Sequence, residues 1–134
     1  MQTPKPTAGM RHVALYANAF AECERFYVDL LGMQVEWRPD EDNVYLTSGC
    51  DNLALHKASE GFADKGQHLD HIGFIIDEID EVDVWHEFLK ANGVRIVAEP
   101  RTHRDGARSF YCKDPDGNTV QLIYHPPIVG KCNA

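Results

Sequence analysis

The sequence has no apolar run near the roughly 20 residues needed to cross a bilayer, so a membrane-spanning helix is excluded. It also has no low-complexity or disordered-type stretch. Positive charge is scarce: 13 Lys and Arg stand against 21 Asp and Glu, a net of −8. Nucleic acid is therefore not expected as a partner, because phosphate binding needs concentrated positive charge. The four cysteines, Cys23, Cys50, Cys112 and Cys132, contain no Cys-x-x-Cys pair. The amino-terminal residues carry no apolar export segment, so reduced thiols and a cytoplasmic location are expected. Cys23 falls on a helical apolar stripe and reads as core.

The composition, 43% hydrophobic and 25% charged over 134 residues, is that of one compact domain. Residues 1–9 are polar, rich in Pro and Thr, and read as a loose leader. Residues 127–134 read as an irregular tail. The domain between them, 10–126, divides into two similar halves, 10–58 and 69–126.

The first half opens on a strand, Arg11-His-Val-Ala-Leu-Tyr-Ala, followed by a helical pattern from about Asn18 to Leu31 with Cys23, Phe26, Tyr27, Leu30 and Leu31 on one side. Gly32 supplies its stop. The second half opens on Asp70-His-Ile-Gly-Phe-Ile-Ile, and Ile79, Val82, Trp85, Phe88 and Leu89 then step at helical spacing to Asn92-Gly93. Met33–Trp37 and Val94–Ala98 follow as strands, then Asn43–Thr47 and Arg108–Cys112. Turns at Gly49-Cys-Asp-Asn and Asp114-Pro-Asp-Gly-Asn lead into last strands, Leu53–Ala58 and Thr119–His125. Each half reads strand–helix–strand–strand–strand, an α+β pattern. Aligning Tyr45-Leu46 with Phe110-Tyr111 places His56 opposite Gln121, each ten residues further on.

Side chains alternate across a strand. His12 then shares a face with Ala14 and Tyr16, His71 with Gly73, His56 with Ala54 and Asn52, and Gln121 with Thr119 and His125. The bulky apolar residues point the other way, toward the helices. The remaining face, polar and lined by small neighbours, has room for a ligand.

These residues resemble the vicinal oxygen chelate superfamily, which includes glyoxalase I, extradiol dioxygenases, fosfomycin-resistance and bleomycin-resistance proteins. The carriers are the strand around His12, Phe26-Tyr27-x-x-x-Leu-Gly, Asp70-His71-Ile-Gly-Phe, and Asp114-Pro-Asp-Gly-Asn leading to Gln121. The resemblance implies two βαβββ modules forming a curled, barrel-like mixed sheet with helices outside. It implies a divalent metal (Zn, Ni, Mn or Fe) held by the residues at the matched positions, His12, His56, His71 and Gln121. The metal would chelate two neighbouring oxygens of a small-molecule substrate. Homodimers are common in the family, and some members complete the site across the interface.

One position departs from the family pattern. The residue matched to Gln121 is usually glutamate, and an amide oxygen can coordinate but carries no charge and cannot act as a base. Glyoxalase I chemistry and the two-His-one-carboxylate iron chemistry of dioxygenases are both incomplete here. His56 is either a ligand or a general base. The loop from Arg101 to Arg108 concentrates three arginines, and Arg108 with Tyr111 forms a candidate contact for an anionic substrate. The Asp114–Asn118 segment is assigned to turn formation. His68, His86 and His103 are placed on loops or a helix surface, and His125 at an exposed strand end. Two functions fit best: a metal-dependent isomerase, lyase or transferase on an oxygenated metabolite, or a metal-free small-molecule binding protein of the bleomycin-resistance type; an extradiol dioxygenase-like enzyme is the weaker third.

Overall fold

A computed structural model describes residues 4, 10–59, 69 and 71–130. The expected leader, His68, and the end of the expected tail lie outside these residues, apart from Pro4. The first half is β1 (His12–Ala17), a helix α1 (Phe20–Arg25) that continues as one wider π turn over Phe26–Leu30, then β2 (Gln34–Asp40), β3 (Asn43–Thr47) and β4 (Asn52–Lys57). The second half is β5 (Ile72–Ile75), α2 (Glu81–Ala91), β6 (Ile96–Thr102), β7 (Arg108–Lys113) and β8 (Thr119–Tyr124), and Pro126–Ile128 adds a short 3-10 turn. The arrangement is α+β, with two mixed four-stranded sheets ordered β1-β4-β3-β2 and β5-β8-β7-β6. In each sheet the first strand runs parallel to the last, and the other neighbours are antiparallel. Register shifts in β2 and β6 mark bulges, which add twist and curl these edge strands. The sheets curl but do not close into a barrel.

The apolar alternation read from the sequence has its physical result in a single core. Leu15, Leu53, Leu55, Val44 and Leu46 of the first sheet meet Phe26 and Tyr27, and Val82, Leu89, Phe110, Val120 and Leu122 fill the second half. Each large side chain so removed from water contributes about 1.5–3 kcal/mol. Both helices end where a glycine takes a left-handed conformation, Gly32 at φ 82° and Gly93 at φ 78°. The opposite face of the first sheet stays open: Tyr16 is 64% exposed and Trp37 58%.

The Asp114–Asn118 turn does more than reverse the chain. Asp116 accepts hydrogen bonds from the backbone N–H groups of Asn18 and Ala19, both at 2.7 Å, at the start of α1. Asp114 is buried and accepts from the Tyr27 hydroxyl at 2.8 Å and from the Asp116 and Asn118 backbones. The turn of the second half thus clasps the helix of the first.

Cys23 and Cys112 are free and buried, but Cys50 is disulfide-bonded. The expectation of reduced thiols fails at Cys50. Burial and the neighbouring Asp114 carboxylate push the Cys112 thiol up to about 12, and the same causes, with Asp116 added, raise Cys23 further. Among the described residues no helix is long and apolar enough to cross a membrane.

Candidate functional site

His12 begins β1 on the open face, directly across from Asn52 of β4. Its Nδ1 lies 2.7 Å from Asn52 Oδ1, and Asn52 Nδ2 donates to Glu36 Oε1 at 3.3 Å. A carboxylate only accepts, so the amide must present its nitrogen to Glu36 and its oxygen to His12. An amide oxygen also only accepts, so Nδ1 of His12 carries the proton. In the neutral ring Nε2 is therefore the nitrogen that holds the lone pair. An imidazole oriented through its second nitrogen is the usual state of a metal-ligating or proton-accepting histidine.

His56 repeats this arrangement four residues further along. Its Nδ1 lies 2.6 Å from Asn43 Oδ1, and Asn43 Nδ2 donates to Asp40 Oδ1 at 2.8 Å. Backbone N–H of Asp42 and then the Asn43 amide hold the Asp40 carboxyl below its ordinary range. Two carboxylate–amide–imidazole chains thus stand side by side on one sheet. Sequence reading missed both, because Glu36, Asp40 and Asn43 meet their histidines only through strand register.

The register also corrects the pairing of the halves. Ala14 lies opposite Ala54 and Gly73 opposite Gln121, while Tyr45 pairs with Ala54 and Tyr111 with Gln121. The position equivalent to Gln121 is therefore Ala54, and His56 is equivalent to Ile123. Tyr45, not Leu46, is equivalent to Tyr111, and the turn before β8 is one residue longer than the one before β4, so two one-residue slips add to the two-residue displacement from Ala54 to His56. His56 sits opposite Tyr16. Four residues of strand separate that point from His12, about 13 Å at roughly 3.3 Å per residue. His12 and His56 are thus held by different amides at separate points of the sheet, Asn52 and Asn43.

In the second sheet Gln121 is buried at 9% exposure. Its Nε2 donates to Ser109 Oγ and Tyr111 Oη, both at 3.1 Å. The carbonyl Oε1 is left on the side of Gly73, where a Cβ would stand 3.8 Å away. Ser109 Oγ also lies 3.0 Å from His103 Nε2. His71 precedes β5 on the same face and meets the Tyr111 ring edge-on at 5.5 Å. Tyr111 therefore touches both candidates of this sheet.

His103 lies on the loop after β6, as expected, and joins the Gln121 network through Ser109. His86 lies on α2 but is buried at 5% exposure against Phe110 rather than on the helix surface. His86 Nε2 lies 2.8 Å from Glu99 Oε2 but out of hydrogen-bond alignment. Arg108 faces the helix side of β7. Its Nε and Nη2 each reach an Asp83 carboxylate oxygen at 2.8 Å, and its Nη1 donates to Thr102. Parity places it opposite Ser109 and Tyr111, away from the candidate substrate face.

Within one chain the metal candidates do not converge. Among the described residues no group of three or more His, Cys, Asp or Glu side chains is placed to hold a metal ion. A cavity of about 670 Å³ runs past Gly73, Ile75 and Trp85, and another of about 610 Å³ lies beside Arg25 and Pro115. Neither includes His12, His56, His71 or Gln121. The family model for the Glyoxalase/Bleomycin resistance protein/Dioxygenase superfamily matches residues 9–122.

The chain belongs to that superfamily.

Among individual superfamily proteins, the chain is 31% identical over 117 residues to a metallothiol transferase FosB of Staphylococcus epidermidis, covering 84% of this chain and 79% of that protein. It is 26% identical to the uncharacterized protein YqjT of Bacillus subtilis, covering 85% and 97%. The crystal structure of a lactoylglutathione lyase from Agrobacterium tumefaciens superposes with a TM-score of 0.75 at 26% identity, covering 90% of this chain and 96% of that one.

Proposed function

We propose that this chain is a metal-dependent superfamily enzyme acting on a small oxygenated metabolite, with group transfer favoured over isomerase or lyase chemistry. The similarity to metallothiol transferases supports the transfer reading. The observation that carries the metal reading is the orientation of the donors. Asn52 engages His12 Nδ1 and leaves Nε2 as its ligating nitrogen, and Ser109 with Tyr111 engages the Gln121 amide nitrogen and leaves Oε1 beside Gly73. These are the ligating atoms that remain on those two groups.

His12, His71 and Gln121 would hold a divalent ion. When bound, it would supply Lewis-acid polarisation of two neighbouring substrate oxygens. Two imidazoles and an amide add no negative charge, so the ion would keep its full positive charge for the substrate. Gln121 cannot take a proton, so proton handling falls to other groups. Because His12 stands on one sheet and His71 and Gln121 on the other, a second copy of the chain is the natural source of the missing side. A homodimer pairing the first sheet of one copy with the second sheet of its partner would close both open faces.

Calorimetric titration of chelator-treated protein with Zn²⁺, Ni²⁺, Mn²⁺ and Fe²⁺ tests the proposal. Binding that disappears in both His12→Ala and His71→Ala supports it, and Gln121→Glu should tighten binding about tenfold or more by adding a charge. No binding by any of the four ions would overturn the metal reading. The metal-free binding protein then becomes the better account, since no carboxylate occupies the ligand set.

A further inference from the structure

The two cavities occupy equivalent places in the two halves. Each lies between the helix of one half and, in the other half, the glycine that ends the helix and the turn before the last strand. Their charges differ. The larger gathers Asp51, Asp77, Glu78 and Glu81 against Arg11. The smaller, of about 610 Å³, gathers Arg25, Arg95 and Lys113 in a chain of net charge −8, together with Glu22, Asp29 and Asp114.

The smaller cavity has two walls of different character. On the first-half side, α1 and its π turn bring Glu22, Arg25 and Asp29 beside the apolar Phe26 and Leu30. On the second-half side, Lys113 N donates to Arg95 O at 2.9 Å, which sets two cations side by side where β6 begins and β7 ends. Lys113 Nζ donates to a neutral partner, Thr119 Oγ1, at 2.7 Å. Among the described residues the Arg95 guanidinium and the Asp29 carboxylate have no hydrogen bond or ion pair. Glu22 and Arg25 reach each other only at 4.0 Å, and Asp114 is engaged by Tyr27, Asp116 and Asn118. Uncommitted charges of opposite sign thus share one cavity, on different walls, without pairing across it.

We infer that this cavity is a binding site for a small zwitterion with an apolar body, an amino acid by chemical class, its carboxylate on Arg95 and Lys113 and its ammonium on Asp29. An arginine fork beside a lysine matches a carboxylate, and an unpaired carboxylate matches an ammonium. Phe26 and Leu30 supply the apolar contact, and the volume lies within the usual range for small-molecule sites. The cavity contains none of His12, His56, His71 or Gln121 and does not depend on the metal reading, so the two can fail separately. A ligand there bridges the helix of the first half and the second sheet, so it stabilises the packing of the two halves.

Calorimetry with L-phenylalanine, 3-phenylpropanoate and 2-phenylethylamine, in excess chelator at neutral pH, tests the site. The three share a ring and carry both charges, the negative alone and the positive alone. The expected result is one phenylalanine bound per chain, with each single-charge analogue about tenfold weaker or more. Arg95→Ala should weaken phenylalanine about tenfold or more, whereas Arg104→Ala, at an exposed arginine outside the cavity, should not. Asp29→Asn should weaken phenylalanine but not 3-phenylpropanoate, so that the two bind alike. Arg95 and Asp29 are exposed, and melting curves without ligand check that both variants fold as the parent does. Phenylalanine should also raise the melting temperature of the parent and not that of Arg95→Ala. No binding of phenylalanine by the parent, or equal binding of all three compounds, would overturn the zwitterion assignment. Parent-like binding in both Arg95→Ala and Asp29→Asn would overturn the site.

Discussion

Replacing Asp114 with alanine should be among the most damaging single changes outside the aliphatic core. The carboxylate accepts from Tyr27 Oη at 2.8 Å, Asn118 Nδ2 at 2.8 Å, Asn118 N at 2.8 Å and Asp116 N at 3.0 Å. Tyr27 is fully buried, so its hydroxyl would be left without a partner or water, at about 1–3 kcal/mol. The three turn donors are only partly buried and water can reach them, so their loss costs about 0.5 kcal/mol each. The sum is about 3–5 kcal/mol, allowing for charge assistance to these bonds. For a domain of this size about 1 kcal/mol moves the melting temperature by about 3–5 °C, so a fall of roughly 10–20 °C is expected. Urea unfolding followed by circular dichroism would read this as a lower midpoint with unchanged slope. Tyr27→Phe alone should cost about 1 kcal/mol, and it should cost nothing more once Asp114 is gone. A loss below about 1 kcal/mol in Asp114→Ala, or fully additive single losses, would refute the view of this turn as an inter-module clasp.

Alkaline conditions should destabilise the fold with a defined sign. Burial raises Cys23 and Cys112 above their ordinary 9.0 and, with Asp114, raises Tyr27 well above 10.0. The unfolded chain therefore loses these protons first as pH rises, and stability is intact below about pH 8 and declines from pH 9 upward. Melting curves from pH 7 to 11 should show this fall, with a shallower slope in Tyr27→Phe. At pH 8 the two buried thiols should react with a disulfide reagent only as the protein unfolds, and fast native-state reaction at either would contradict their burial. Asn52→Leu should leave the fold intact but shift His12 toward a mixture of tautomers by nitrogen-15 spectroscopy and weaken any metal binding that needs Nε2. Arg108→Ala should cost no more than about 1 kcal/mol, because its Asp83 partner is half exposed, and should leave ligand binding unchanged.

The most consequential difference between sequence reading and structure concerns His56. Its alternation parity was legible, because alternation within one strand does not depend on which strand lies beside it. Its partner was not, because the alignment of the halves depends on turn length, and one turn is longer than the other. Three-dimensional register separates His56 from His12 and gives it Asn43, Tyr45 and Tyr16 as neighbours. The metal set proposed above therefore comprises His12, His71 and Gln121 and leaves His56 out.

Hydrophobic spacing and turn chemistry alone determined the two repeats, the strand and helix order, and the faces presented by His12, His71 and Gln121. These are local properties, written in neighbouring residues. The tertiary structure alone decided the rest, since it depends on which strands lie beside which. It paired His12 with Asn52 and His56 with Asn43, tied Gln121 to Ser109 and His103, and turned Arg108 onto the helix. It also placed the His12 strand and the Gln121 strand in different sheets.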